Sequence, residues 1–208
     1  MKITTVLLLA FVNFSGYCNS QAIKIGTQTW ATKNLNVAKF RNGDVISQAK
    51  TDEEWEAAGD NKQPAWCYYE NNTANGTKYG KLYNWYAVVD YRGLAPTGHH
   101  IPTDEEWTVL STFLVGEDVA GKKMKSSSGW ITKSGSNGTN SSGFSGLPGG
   151  CRFSDGDFGY VGKVGSWWTA SENDAMTARY RGLNNNGYGL VRSYNLKDWG
   201  FSVRCVKD

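Results

Sequence analysis

The chain is poor in several things that would point to a function. Only four of its 208 residues are proline and two are histidine, and charged residues make up just 20%. Like charges nowhere form a block, so the net charge of +3 brings no clustered basic face and argues against nucleic-acid binding. No CxxC pair occurs, which argues against a zinc site. No apolar run approaches the roughly 20 residues of a membrane-spanning helix. Glycine does not recur at every third position, so the chain is not collagen-like, and heptads rich in Ala, Glu, Lys and Leu are lacking. An aromatic content of 13% with low net charge excludes a disordered chain. What is abundant is glycine, at 25 residues, and tryptophan, at nine. The glycines and asparagines are expected in turns between short elements, because both tolerate left-handed backbone. The length fits a single domain with a self-sufficient core.

The first residues read as a secretory signal over 1–20. Lys2 supplies the positive start, Val6 to Val12 the short apolar run, and Cys18 and Ser20 the −3 and −1 positions of a cut after Ser20. A cut after Ala22 is the alternative. Cys18 admits a different reading, a lipid anchor, for which Ser15 and Gly16 are suitably small and Tyr17 is bulky. Either way the domain at 21–208 is expected to be exported: extracellular, at the cell surface or periplasmic. Cys67, Cys151 and Cys205 remain, an odd number that allows at most one internal disulfide.

Along the chain, Ile23, Ile25 and Gln28 to Trp30 suggest an opening hairpin with Gly26 near its turn. Thr51-Asp52-Glu53-Glu54 and Thr103-Asp104-Glu105-Glu106 are capping-box sequences that each open a helix. The first helix stops near Gly59; the second carries Trp107, Leu110, Phe113 and Leu114 at helical spacing. The shared TDEEW at 51–55 and 103–107 reflects helix-start chemistry, since the flanks do not repeat. A third helix is expected over Tyr83 to Asp90. Lys125 to Gly150 reads as a long loop pinned by Trp130, Phe144 and Leu147. Short strands follow at Ser166–Ala170, Ala178–Leu183, Gly187–Ser193 and Gly200–Val206, with Asn184 to Gly187 as a turn. Trp167 and Trp168, adjacent on a strand, must face opposite sides. Helices first and strands last is α+β patterning.

Several ordered landmarks resemble one known family: Lys24 to Trp30, Asn34-Leu35-Asn36, Tyr79 to Trp85, Pro96 to Trp107, Leu147 to Gly150, Trp167 to Glu172 and Gly200 to Cys205. Together they are similar to the Fibrobacter succinogenes major paralogous domain, over nearly the whole chain after the signal. The resemblance implies a C-type-lectin-like fold in the broad sense that includes formylglycine-generating enzymes: short helices packed on a twisted antiparallel sheet, with a long irregular loop region. It also implies export, and leaves the biochemical role open, since fold alone does not transfer function. Ala95 stands where members often have a cysteine, so the usual partner of Cys205 is missing; the resemblance leaves Cys67 or Cys151 as a substitute, with a Cys151–Cys205 disulfide as the conjecture, or Cys205 as a buried free thiol. His99 stands where the family usually has tryptophan, and Cys151 where it often has tyrosine.

Catalytic readings are thin. His99 and His100 could work only with nearby carboxylates, Glu105 and Glu106, and His100 sits at a landmark before a helix cap where bonding to the turn explains it. No GxSxG elbow occurs. Formylglycine-type oxidation needs a copper-holding cysteine pair upstream of the final strand, and Arg192 to Lys197 holds none. The calcium triplets of lectins are missing, and Asp155-Gly156-Asp157 reads as a solvated turn. No metal or cofactor is expected. Calcium-independent recognition remains, because aromatic faces stack on sugar rings and mark interfaces. The candidate ligand-binding residues are Trp130, Tyr160, Arg181, Tyr188, Arg192, Tyr194 and Trp199. The expected function is an exported, non-catalytic binding module whose partner is a glycan or an extracellular surface protein. The alternatives are a structural envelope protein without a dedicated ligand and, third, a formylglycine-generating-type enzyme.

Overall fold

Residues 22–131 and 138–208 are described by the computed structural model. The expected signal segment, with Cys18, lies outside them, as do residues 132–137 of the expected loop. The chain opens with the hairpin β1 (Ala22–Ile25) and β2 (Gln28–Ala31). Gly26 turns it with φ 62°, and a Cβ there would meet the Phe113 ring at 2.9 Å. Both a left-handed turn and a close approach therefore call for glycine at this position.

The first half then alternates very short strands with helices. These are β3 (Ser47–Gln48), α1 (Asp52–Asp60), β4 (Ala65–Cys67), α2 (Thr73–Tyr79), β5 (Leu82–Tyr83), α3 (Trp85–Val88), β6 (His99–His100), α4 (Asp104–Phe113) and α5 (Glu117–Met124). Both expected capping boxes form. Thr51 Oγ1 accepts from the Glu54 amide and Thr103 Oγ1 from the Glu106 amide, each at 3.2 Å. The glutamates reach back to the Thr51 and Thr103 amides at 3.3 and 2.8 Å. Each cap stabilises its helix by about 1 kcal/mol. The expected third helix is shorter than its apolar run, because Tyr83 pairs in β5 and Asn84 caps the Ala87 amide at 3.1 Å. Helices α2 and α5 have no strong apolar stripe and were not expected. Gly121 lets α5 lie against the backbone of Gly189, where a Cβ would come within 2.2 Å.

The second half is strand: β7 (Gly149–Arg152), β8 (Phe158–Val161), β9 (Val164–Glu172), β10 (Thr177–Asn184), β11 (Leu190–Leu196) and β12 (Val206–Lys207). Three sheets result, ordered β1-β2-β12-β6, β11-β10-β9-β7-β8 and β3-β4-β5. The expected strand at Gly200–Val206 is mostly a crossing. Gly200, Phe201 and Ser202 bridge in turn to Arg152, Tyr83 and Trp167, each in a different strand, and only Val206 joins a ladder. β11 starts later than expected because the asparagine turn continues to Gly189 and Leu183 pairs with Leu190.

Trp167 and Trp168 do face opposite sides of β9, and both are fully buried. Trp167 joins Trp30, Trp107 and Phe144 beneath α4; Trp168 packs at 4.5 Å on Phe201. The central strand β9 is covered on both faces, so the tryptophan surplus is largely core. Removing one such ring costs about 3–5 kcal/mol.

Candidate functional site

The two histidines lie on β6, paired with β12. His100 is held from both sides, Nδ1 by Asp208 at 2.8 Å and Nε2 by Glu106 at 2.7 Å. Glu106 divides its oxygens between this ring and the α4 cap. Burial opposes charging of His100, but the hydrogen bonds and charges of Asp208 and Glu106 outweigh it and raise its pKa. The imidazole thus ties the last strand to the helix start, with both ring nitrogens engaged. Among the described residues no group of three or more His, Cys, Asp or Glu side chains could hold a metal.

The structure separates the candidate binding residues. Trp130 is not on the surface: it is 5% exposed, part of the core with Trp30 and Trp107, and its indole donates to Ser126 Oγ at 3.1 Å. The loop folds back over the core there, which carries the ring inward. Arg181 is likewise not on the surface. It is fully buried, bonding Asp104 Oδ1 at 2.8 Å, the Asp104 carbonyl at 2.9 Å, Thr108 at 2.8 Å and Glu117. Arg192, half-exposed, takes the other Asp104 oxygen at 2.8 Å. Two arginines from paired positions on β10 and β11 therefore clamp the first residue of α4 to the sheet. Tyr194 extends the same sheet face beside Arg179, whose guanidinium lies 5.7 Å from its ring. Tyr188 is exposed near α5, with Lys122 5.1 Å from its ring.

Tyr160 and Trp199 are brought together, through Phe153. The Phe153 ring is 5.7 Å from Tyr160 and 4.8 Å from Trp199, edge to face in both cases. Trp199 leads on to Phe201 at 5.9 Å, and Phe201 to Tyr180 at 4.9 Å. This row climbs from the core to the surface, ending at Tyr160, which is 54% exposed. Tyr180 pairs with Ser193, on the sheet face opposite Arg192 and Tyr194. Gly159 makes the row possible, since a Cβ there would meet the Phe153 ring at 2.6 Å. Tyr160 also has φ 67°, a left-handed conformation that strains a bulky residue. Phe153 and Tyr180 were missed in the sequence because neither falls among the landmarks or in the surplus outside them. The signal that could have found Tyr180 was its place in an alternating strand.

Other reactive groups are buried. Burial pushes the Cys67 and Cys151 thiols up to about 12. The Cys151–Cys205 disulfide implied by the resemblance is not formed; Cys67, Cys151 and Cys205 are all buried thiols. Cys151 instead points at the Gly159 carbonyl across the β7–β8 pair. Lys81 is also buried. Its ammonium bonds the Asn36 carbonyl and Oδ1 at 3.1 and 2.6 Å and lies 4.3 Å from the Trp66 ring. Burial pulls its pKa down to about 8.

Among the described residues these elements define an α+β module with three sheets and an aromatic row that reaches the surface at Tyr160. The chain belongs to the Fibrobacter succinogenes major domain family, whose model matches residues 23–207. No curated protein and no solved structure matches it. Among the described residues no helix is long and apolar enough to cross a membrane.

Proposed function

We propose that this is an exported, non-catalytic module of C-type-lectin-like fold that binds a glycan on the Tyr160–Phe153–Trp199 row, without calcium. The observation that carries this reading is Tyr160. Its backbone is strained and its ring is more than half exposed, so the fold gains little from a tyrosine there. Strain of this kind, roughly 1–3 kcal/mol, persists at ligand sites where it positions a side chain. Aromatic faces and edges at a surface match the apolar faces of sugar rings. The short helices packed on a sheet that is antiparallel except where β7 runs parallel to β9 support the lectin-like reading of the fold.

A glycan array probed with the chain, with calcium and with a chelator, tests it. Binding should survive chelation and weaken several-fold in Tyr160→Ala. Capture of a surface protein instead, by the same row, would replace the glycan with the other expected partner. Loss of all binding on both would leave the structural envelope reading.

A further inference from the structure

We propose that β11 is the pairing edge for a second copy of this chain, strand to strand and antiparallel about a twofold at Ser193. β11 ends its sheet, and among the described residues only β10 pairs with it. The alternation of the ladder fixes which groups face outward. On β10 the Thr177 carbonyl accepts from the Asn173 amide at 3.0 Å and the Arg179 carbonyl from Thr169 Oγ1 at 3.0 Å, so both point toward β9. Their partners on β11, Leu196 and Tyr194, and with them Arg192, therefore turn their amides and carbonyls away from β10. Leu196 is already satisfied, its amide by Asn195 Oδ1 at 2.8 Å and its carbonyl by the Trp199 amide at 3.1 Å. Leu190 is buried in the core with Ala120 and Met124 of α5. Among the described residues that leaves Arg192 and Tyr194 as the open backbone groups of the edge.

A second β11 meets this pattern. Centred on Ser193, an antiparallel copy sets Arg192 opposite the partner's Tyr194 and Tyr194 opposite the partner's Arg192, so every open amide meets an open carbonyl. The guanidinium then lies across from an aromatic ring. Its charge is offset by Asp104 Oδ2 at 2.8 Å, which removes most of the repulsion between the arginines of the two copies. The edge also lacks the usual guards against pairing: Leu190–Leu196 holds no proline, lysine or bulge. The opposite edge of the sheet is guarded, since β8 is four residues long and holds Tyr160 at φ 67°. After Leu196 the chain turns inward to the buried Lys197, so a partner strand ends before it reaches α5. Pairing of this length buries less than the roughly 1,200 Å² of a stable interface, so the dimer is weak, with a Kd on the order of micromolar or above. The aromatic row lies at the β8 end and stays free.

Sedimentation velocity over a wide concentration series tests this. Wild type should pass from monomer to dimer as concentration rises. Tyr194→Pro should stay monomeric with a thermal midpoint close to wild type, because proline there removes an outward amide and no bond to β10. Ser193→Cys reads the register: opposite residues of a pair that is not hydrogen-bonded have Cα atoms about 4.5 Å apart, within disulfide reach. Mild oxidation should crosslink Ser193→Cys as a dimer and leave Val191→Cys and wild type uncrosslinked, since the native thiols are buried. Should Tyr194→Pro fail to fold, the crosslink decides. A wild type that stays monomeric at every concentration, a dimer that survives Tyr194→Pro, or a Ser193→Cys variant that never crosslinks would each overturn the proposal. Crosslinking at Val191→Cys instead would overturn the register and the assignment of open groups on which it rests.

Discussion

Arg204 engages both the ring and the backbone of Phe144: its guanidinium lies 4.4 Å from the ring centroid while Nη1 donates to the Phe144 carbonyl at 2.6 Å. The same nitrogen reaches the Ala31 carbonyl at 2.9 Å, and Nη2 reaches Asn34 Oδ1 at 2.7 Å. Asn34 Oδ1 also accepts from the Trp167 indole at 2.8 Å. One fully buried cation thus ties the loop, β2 and the central sheet together using carbonyls and aromatic faces in place of a carboxylate. Arg152 is likewise seated between Trp55 and Phe158, and Lys197 lies 4.9 Å from Trp85, though each of these also pairs with a carboxylate, Asp52 and Glu172. Much of the aromatic content serves as seating for buried positive charge.

Arg204→Leu should therefore destabilise the fold by about 3 kcal/mol or more, since buried carbonyls lose their donor. Urea unfolding followed by tryptophan fluorescence measures this. A change within error of wild type would mean that water or a shifted loop replaces the guanidinium.

Lys81 should make stability depend on alkaline pH. Its folded pKa, about 8, lies below the ordinary 10.5. Between those values the unfolded chain holds a proton that the folded chain has lost, so stability rises with pH. Below that window the buried charge is a full penalty. Cys67 and Cys151 act in the opposite sense: their thiols stay protonated in the fold to about 12, so stability falls once unfolded thiols ionise above about 9. Urea midpoints across this range should show the Lys81 rise in wild type and lose it in Lys81→Met, while the thiol-driven fall remains in both.

Tyr160→Gly should separate folding from binding. Relief of the left-handed strain should hold or raise stability by up to about 1 kcal/mol, while glycan binding weakens several-fold. Thermal melts and the array read the two effects independently. A large loss of stability would show that the ring is anchored by Phe153 for structural reasons.

The three thiols should be silent in the native protein. Ellman's reagent should label none of Cys67, Cys151 and Cys205 before unfolding and all three in urea. Peptide mapping without reductant should find no crosslinked pair. A Cys151–Cys205 crosslink would restore the bond that the landmarks suggested.

Local chemistry was legible in advance. The two capping boxes, the hairpin at Gly26 and the strands β9 and β10 follow from short-range rules, because caps, turns and alternation are satisfied by neighbours in the chain. The short landmarks were likewise enough to place the chain in its family. What the tertiary structure decided was which side of the protein each aromatic and each cation occupies. Trp130 and Tyr160 looked equivalent as ring-bearing residues outside the landmarks, yet one lies beneath the folded-back loop and the other on an exposed turn. Arg181 and Arg192 sit opposite each other on paired strands, but only Arg181 lies fully under α4. Such distinctions depend on residues far off in the sequence, as Asp104 is 77 positions from Arg181 and 88 from Arg192. Periodicity within a segment carries no information about what will cover it.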